Sequence, residues 1–440
     1  MERSRGMQQN IEAKIIPIVH HLDKHIYPSG YMPASLTYEP YRPCWFRDSA
    51  MVSLSLIEAS SSLTTRKMPK EENYSVASLA SESSARQLNF LWCAISNFIR
   101  NMEVGISIPY EDPSFFKLSS HLPARVGKDG MLFFIASNGE IIRDTVESSE
   151  WLRQYDSLPL TLMATHSYMS NIGAEKIEVP LRIFSENIST ILNYMVKVYK
   201  APSFNAWEVD GHQLHSYTLA SLYRGFISAL QIAEKLGLHI PNEMKDKPKW
   251  MDNFLSNFFI RDGILYKAKN VLRQDGRGFE SEPVKQVDAS EIFVFTRFKP
   301  ESITHDIKAN TMESIEKKRF GANILPTRFD GDSYFFGGRW ILLGMEAARH
   351  YIETQEIEKA AKIISYVEKK YLRQGNVMIP EQEIIDPESM EKDSGNYYIK
   401  NGYSAINDLA WSEAAYVSAC TSLLRATDNA AESSRLKIRA

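Results

Sequence analysis

Cysteine is scarce in this chain: three among 440 residues. Cys44, Cys93 and Cys420 are widely spaced and form no CxxC or Cys/His metal pattern, which excludes a disulfide scaffold or a zinc ribbon. Each sits among apolar neighbours, so all three read as buried free thiols. No excess of one charge is present either. The 51 Lys+Arg and 54 Asp+Glu leave a net charge of −3, which argues against a nucleic-acid binder that works by neutralising phosphates. No run approaches the ~20 apolar residues of a membrane span. The run Ile15-Ile16-Pro17-Ile18-Val19 is too brief for a signal-peptide core. A cytoplasmic protein is therefore expected. No Gly-rich phosphate loop occurs, and the ten histidines show only chance near-pairs. Neither a cofactor nor a metal is expected.

The composition itself is ordinary for a globular protein, with 44% hydrophobic and 24% charged residues. Length alone suggests about three domains at roughly 150 residues each. However, no linker long enough to part them is found, so residues 1–440 read as one catalytic unit. Helical periodicity dominates. Phe184, Ile188, Ile191, Met195 and Val198 form one stripe; Leu219, Leu222, Phe226, Leu230 and Ala233 a second; Ile357, Ala360, Ile364, Val367 and Tyr371 a third. Strand patterns are short and lie between helices, at Met131–Ile135, Ile141–Ile142 and Gly263–Tyr266.

The pattern predicts twelve helices, at 7–25, 48–63, 80–102, 152–170, 176–200, 212–236, 241–258, 287–297, 301–318, 332–353, 355–372 and 408–425. The last dozen residues read as a frayed tail. Segments 64–79, 103–150 and 373–407 are long polar loops, of the kind that carry function in compact domains. Twelve antiparallel helices fit six hairpins closed into a toroid, an all-α (α/α)6 barrel with short β-hairpins in the loops at the active-site end. In that barrel the amino-termini of alternate helices meet at one end, and functional residues should cluster before every second helix.

They do. Arg47-Asp48 opens the second helix, and Gln154 and Asp156 the fourth. Trp207-Glu208 precedes the sixth, Asp288 opens the eighth, and Arg328, Asp330 and Asp332 precede the tenth. Glu381, Gln382 and Trp411-Ser412 come at or before the twelfth. Taken singly, Asp48 and Asp332 fit equally well as helix N-caps, and Trp207 and Trp411 as core aromatics. His212 and His215, close behind Glu208, fit either the site or a structural place at a helix start. The coincidence of carboxylates and aromatics at alternate helices points instead to a sugar site, where rings stack on pyranose faces and two carboxyls flank the scissile bond.

Several segments resemble glycoside hydrolase family 15, the glucoamylases. They are Tyr41-Arg42-Pro43-Cys44-Trp45-Phe46-Arg47-Asp48-Ser49, Ala206-Trp207-Glu208, the run from Arg328 to Trp340, Met378-Ile379-Pro380-Glu381-Gln382 and Asp408-Leu409-Ala410-Trp411-Ser412. Gln154-Tyr155-Asp156 and Val287-Asp288-Ala289-Ser290 add weaker matches in the family order. The resemblance runs from about residue 30 to about 425 and implies the (α/α)6 fold. It also implies an exo-acting hydrolase that releases glucose from non-reducing ends with inversion. Glu208 would be the general acid, with a raised pKa, and Glu381 the general base, kept ionised. Inversion needs the two carboxyls roughly 6.5–9.5 Å apart to admit a water. Arg47, Asp48 and Arg328 would grip the terminal sugar, and Trp45, Trp151, Trp207 and Trp411 would wall the pocket.

The chain departs from the pattern at Val209, where many glucoamylases carry a second Glu that binds the leaving sugar. Bacterial and archaeal members of that family often carry an amino-terminal β-sandwich before the barrel; with the first barrel helix expected from residue 7, neither that domain nor a starch-binding module is expected here. The partner expected is a small oligosaccharide, with no nucleic acid and no membrane; the oligomeric state is not legible. Trehalose and α-1,6 linkages occur as substrates in the same family. A phosphorylase on the same toroid is a second enzyme class, which a base at Glu381 disfavours. A catalytically silent domain, like that in the regulatory subunits of phosphorylase kinase, is a third reading; such domains tend to lose the acid or the base.

Overall fold

The structure is a computed structural model that describes residues 2–38, 41–64, 70–99, 125–126, 134–135, 141–142, 154–211, 213–270, 283–372, 377–385 and 404–439. Twelve principal helices are found among the described residues. They are α1 (Glu2–His25), α2 (Phe46–Thr64), α3 (Lys70–Ser96), α4 (Ser157–Asn171), α5 (Glu178–Val198) and α6 (Ser216–Lys235), followed by α7 (Lys247–Phe259), α8 (Glu291–Phe293, continued as a π turn through Phe298), α9 (His305–Ile315), α10 (Ile341–Glu353), α11 (Ile357–Tyr371) and α12 (Ala410–Arg439).

The even-numbered helices form the inner ring. Each touches the next even one, and α12 closes the circle against α2. The odd-numbered helices pack outside them: α3 on α2, α5 on α6, α7 on α6, α11 on α10 and α1 on α12. This is the (α/α)6 barrel.

Burial explains which helices go where. In α10 every residue from Ile341 to Ile352 is buried, and in α2 almost every residue from Phe46 to Leu63 is. Such helices have no solvent face and must be surrounded. By contrast, α11 buries only Ala360, Ile363, Ile364 and Val367, one stripe of an outer helix. The pitch of the ring demands close approaches. At Gly225 of α6 a Cβ would stand 2.4 Å from the Pro159 Cα of α4, so only glycine lets these inner helices touch there.

The inner ring also holds charge. Arg297 of α8 donates through Nε to both carboxylate oxygens of Glu346 on α10, at 2.9 and 3.0 Å. Arg349 pairs at 2.9 Å with Glu58 of α2, which Ser418 of α12 also reaches at 2.7 Å. Buried charges are tolerated because each is paired. Four inner helices are thereby cross-linked roughly 15 Å along α2 from its first turn.

Several boundaries differ from expectation. The tenth helix begins at Ile341, not near 332: Tyr334–Phe336 form a 3-10 turn and Arg339–Trp340 a strand. Asp332 is therefore not a helix N-cap. It bonds Arg328 instead. The final residues, expected to fray, continue α12 to Arg439. Cys44 and Cys420 are buried as expected, but Cys93 is exposed. It falls on the outward stripe of α3 with Glu82, Arg86, Asn89 and Asn97, one face of the helix that the apolar neighbours in sequence do not share.

The strands are two or three residues long. Two pairs are hairpins: β3 (Phe134–Ile135) with β4 (Ile141–Ile142), and β6 (Ile260–Arg261) with β7 (Ile264–Leu265). The others clip distant loops together, which sequence patterning does not reveal. β1 (Cys44–Trp45) pairs β2 (Arg125–Val126), and β5 (Gln213–His215) pairs β8 (Ala268–Asn270). β10 (Gln382–Glu383) lies between β9 (Arg339–Trp340) and β11 (Ser404–Ala405). No helix among the described residues is long and apolar enough to cross a membrane.

Candidate active site

The amino-terminal ends of the inner helices surround a pocket lined by Ala34, Tyr41, Trp45, Arg47, Asp48, Ala206, Trp207, Glu208, Arg328, Tyr334, Trp340, Glu381 and Trp411. It encloses about 510 Å³, its mouth included. Eight of the nine residues singled out in the sequence line it. The ninth, Trp151, lies outside the described residues, as does His212.

Glu208 sits at the turn of a short, self-bonded loop. The side-chain Oδ1 of Asn205 accepts from the backbone N–H of Trp207 at 2.9 Å and of Val209 at 3.2 Å. The Glu208 N–H donates to the Asn205 carbonyl at 3.1 Å. These bonds hold Glu208 at φ +61°, a left-handed conformation that costs a non-glycine residue about 1–3 kcal/mol. Behind it, the Trp207 indole N–H donates to Asp288 at 2.9 Å. Lys267, almost wholly buried, donates to Asp210 at 2.8 Å and stands 4.0 Å from Asp288. Asp288, Lys267 and Asp210 thus anchor both sides of the loop. Asn205 and Lys267 went unnoticed in the sequence. Only an Asn two residues before the Trp hinted at the turn. His215 is structural: buried, with a ring nitrogen 3.1 Å from the Asp210 carbonyl.

Arg47 joins two carboxylates, donating at 3.2 Å to Asp156 and at 3.2 Å to Glu208. Its guanidinium carbon lies 5.7 Å from the centre of the Trp411 ring. Arg328 forks onto Asp332 (2.7 Å from Nε, 2.5 Å from Nη2). The fork is caged by rings, with Trp340 at 4.5 Å, Tyr334 at 5.0 Å and Trp207 at 5.3 Å. A guanidinium clamped by a carboxylate and stacked between aromatics cannot swing. Arg125, paired across β1–β2, lies 4.9 Å over the Trp45 ring.

Glu381 comes from the turn entering β10. Its backbone N–H donates to the Ile406 carbonyl at 3.0 Å, and its carbonyl accepts from Ile341 N–H at 3.2 Å. Gly338 permits this: a Cβ there would meet Gln382 Oε1 at 2.2 Å. Tyr41 O–H reaches Glu381 Oε1 at 3.2 Å and the Tyr334 hydroxyl at 2.7 Å. Both tyrosines lay inside segments that resembled the family, yet neither was marked as a site residue.

The electrostatics depart from one expectation. Burial raises Glu208, as expected, against the pull of Arg47, Gln154 and Arg125. Burial also raises Glu381, to about 8, although Arg328, Tyr334 and Tyr41 oppose it. Glu381 is therefore largely protonated at neutral pH in the unliganded pocket, not ionised. Asp48 is pushed to about 7, first by burial and then by the charge of Glu208, with Arg47 opposing. Several buried polar atoms of the pocket have no partner within the protein: Arg47 Nε, Glu381 Oε2 and the indole nitrogens of Trp45, Trp340 and Trp411.

A ring of six inner helices thus sets carboxyls and arginines among aromatics at one end, and the sequence places this arrangement among the glycoside hydrolases. The chain belongs to the glycosyl hydrolases family 15, whose sequence model matches residues 144–379. That stretch contains Glu208 and Arg328; Arg47 and Glu381 lie outside it. Among curated proteins none matches in sequence.

Solved structures match along nearly the whole chain. A wild-type glycosidase superposes with a TM-score of 0.68 at 17% identity, covering 94% of this chain and 97% of its own. A variant glycosidase in complex with glucose gives 0.67 at 17% identity, with the same coverage. The family 15 glucoamylase from Hypocrea jecorina gives 0.58 at 14% identity, covering 94% of this chain and 72% of its own. At these identities the likeness is one of fold.

Proposed function

We propose that this protein is an inverting, exo-acting α-glucoside hydrolase that releases glucose from the non-reducing end of small oligosaccharides. The observation that carries the reading is the pairing of two carboxyls in one aromatic-walled pocket: Glu208, half-buried and held by Arg47, and Glu381, buried and held by Tyr41. Glu208 protonates the departing glycosidic oxygen, while Glu381 takes a proton from the attacking water. The raised pKa of Glu208 suits an acid, because it keeps the proton available toward neutral pH. Glu381 works in its ionised form. The water and sugar hydroxyls that enter with substrate donate to its unpaired Oε2 and favour that form.

Arg47, Asp48 and Arg328 grip the hydroxyls of the terminal glucose, and Trp45, Trp207 and Trp411 cover its faces. The pocket's unpaired indole N–H groups and Arg47 Nε find partners in a hydroxyl-rich ligand, and an apolar ligand leaves them buried and unsatisfied. The structurally similar glycosidase in complex with glucose fits a pocket of this kind. Val209, half-buried behind Glu208, supplies no carboxylate to a leaving sugar. A maltose-type leaving group is thus held less firmly, which keeps α-1,6 linkages and trehalose within the proposed substrate class.

The test is incubation with maltotriose, isomaltotriose and trehalose, with the glucose anomer followed by NMR before mutarotation. Initial β-glucose from a trisaccharide is expected. Initial α-glucose refutes inversion, and a requirement for phosphate with activity surviving Glu381→Gln refutes hydrolysis.

A further inference from the structure

Away from the pocket, α1 and the start of α12 enclose a second group of side chains that the hydrolytic reading does not use. His21 and His25 stand one turn apart on α1 and meet Asp408 and Glu413 from the far end of the chain. His21 Nε2 lies 2.7 Å from Asp408 Oδ1 and 3.4 Å from Glu413 Oε1. His25 Nε2 lies 3.2 Å from the same Asp408 oxygen and 3.1 Å from His21 Nε2. One ligand atom from each of the four residues falls within 4.8 Å of all the others. His25 and Glu413 are fully buried, Asp408 nearly so, and His21 is partly open.

Two features of this cluster mark it as a set of converging ligands. First, two imidazole Nε2 atoms stand 3.1 Å apart while both face one carboxylate oxygen. Second, neither oxygen of Glu413 has a hydrogen-bond partner, although the side chain is wholly buried and aimed into the group. Lone pairs converging from two imidazoles and two carboxylates satisfy all of this when a divalent cation sits between them.

The geometry points to a zinc site built from His21, His25, Asp408 and Glu413. Ligands about 2.0–2.1 Å from a tetrahedral zinc stand roughly 3.3 Å apart along each edge. Four of the contacts here run from 2.7 to 3.4 Å. Two imidazoles select zinc over magnesium and calcium, which take oxygen ligands. The partly open edge of His21 gives the ion a way in.

The site has no local signature, because His21 and Asp408 lie 387 residues apart and a His pair at i, i+4 is common by chance. The ion staples the first helix to the segment around Asp408, which braces the chain at Glu381. Ile406 accepts the Glu381 N–H at 3.0 Å, and Leu409 N–H donates to Ile379 at 3.0 Å, on either side of Asp408.

The experiment titrates chelator-stripped, full-length protein with Zn²⁺ by calorimetry, with Mg²⁺ and Ca²⁺ run alongside. His21→Gln and Asp408→Asn are the variants, since the first site is partly exposed and Asn tolerates the left-handed backbone at 408 (φ +69°). Circular dichroism confirms that each is folded. The expected result is one Zn²⁺ per chain, a higher melting temperature on binding, and affinity at least about 100-fold weaker in each variant. Co²⁺ in its place should show the visible d–d absorption of a four-coordinate ion. A folded protein that takes up no Zn²⁺ overturns the proposal. So does a preference for Ca²⁺ or Mg²⁺, or unchanged affinity in both variants.

Discussion

Replacing Tyr41 by phenylalanine deletes one oxygen and leaves the ring, which packs edge-on to Trp45 with centroids 5.9 Å apart. The lost hydroxyl donates to Glu381 at 3.2 Å, a long O–H···O distance. A hydrogen bond to a charged acceptor contributes about 1.5–3 kcal/mol, and the length places this one near about 1.5. Since about 1.4 kcal/mol corresponds to one pH unit, Glu381 should rise by roughly one unit from its present value of about 8. The ionised base at pH 7 then falls about tenfold. Because Glu208 and Glu381 titrate as a pair, the readable quantity is the ratio of kcat/KM between wild type and variant, not the position of either limb. That ratio should be about ten at pH 6–7, shrink to about two at pH 9 and approach one beyond. Initial glucose release at low substrate, measured from pH 6 to 10, gives it directly. A loss by the same factor at every pH would refute the reasoning, because it would mean that Tyr41 holds the substrate and does not tune the base.

Glu208→Gln and Glu381→Gln should each lower kcat/KM on natural linkages by about 10²–10⁴-fold. Only Glu208→Gln should recover on an aryl glucoside whose leaving group needs no proton, and equal recovery in both would reverse the assignment. Deep in the ring, burial pushes Glu58 up, but Arg349 and Arg297 together with Ser418 bring it down to about 2. A carboxyl depressed in the folded state stabilises above its unfolded value and loses that stabilisation as pH falls from about 4.5 toward 2. Denaturant unfolding across that range should show roughly 3 kcal/mol of pH-dependent stability that Glu58→Gln lacks. Of the three thiols, Cys93 alone should react with a thiol reagent in the native protein, with Cys44 and Cys420 following only on unfolding.

The helical toroid was legible because outer helices such as α11 expose one face and bury one stripe, so their period shows in the residues. The site was legible because Arg47, Glu208 and Glu381 come with short neighbouring segments whose order matches a family. What stayed hidden depends on contacts between distant segments. Tyr41 meets Tyr334 across 293 residues, and Lys267 meets Asp210 across 57. Neither pairing has a local signature. The ionisation of Glu381 was misjudged for a related reason: burial is a property of the closed ring, and the flanking Pro380 and Gln382 say nothing about it. Asp332 looked like a cap because an aspartate before an apolar run usually is one, whereas here the chain spends eight more residues in a turn and a strand before α10 starts.

The ring closes where α12 meets α2, through contacts such as Ser55 to Ser418, 363 residues apart. During synthesis, α2, α4 and the Glu208 loop emerge long before the turn into β10 and the helix α12, which carry Glu381 and Trp411. A growing chain therefore holds half of a sugar pocket from the synthesis of Glu208 until Glu381 and Trp411 follow, with the apolar flank of α2 uncovered until the last inner helix arrives. Folding of this barrel is a race between late closure and early self-association. Its yield should depend more on how quickly α12 docks than on how stable the finished ring is.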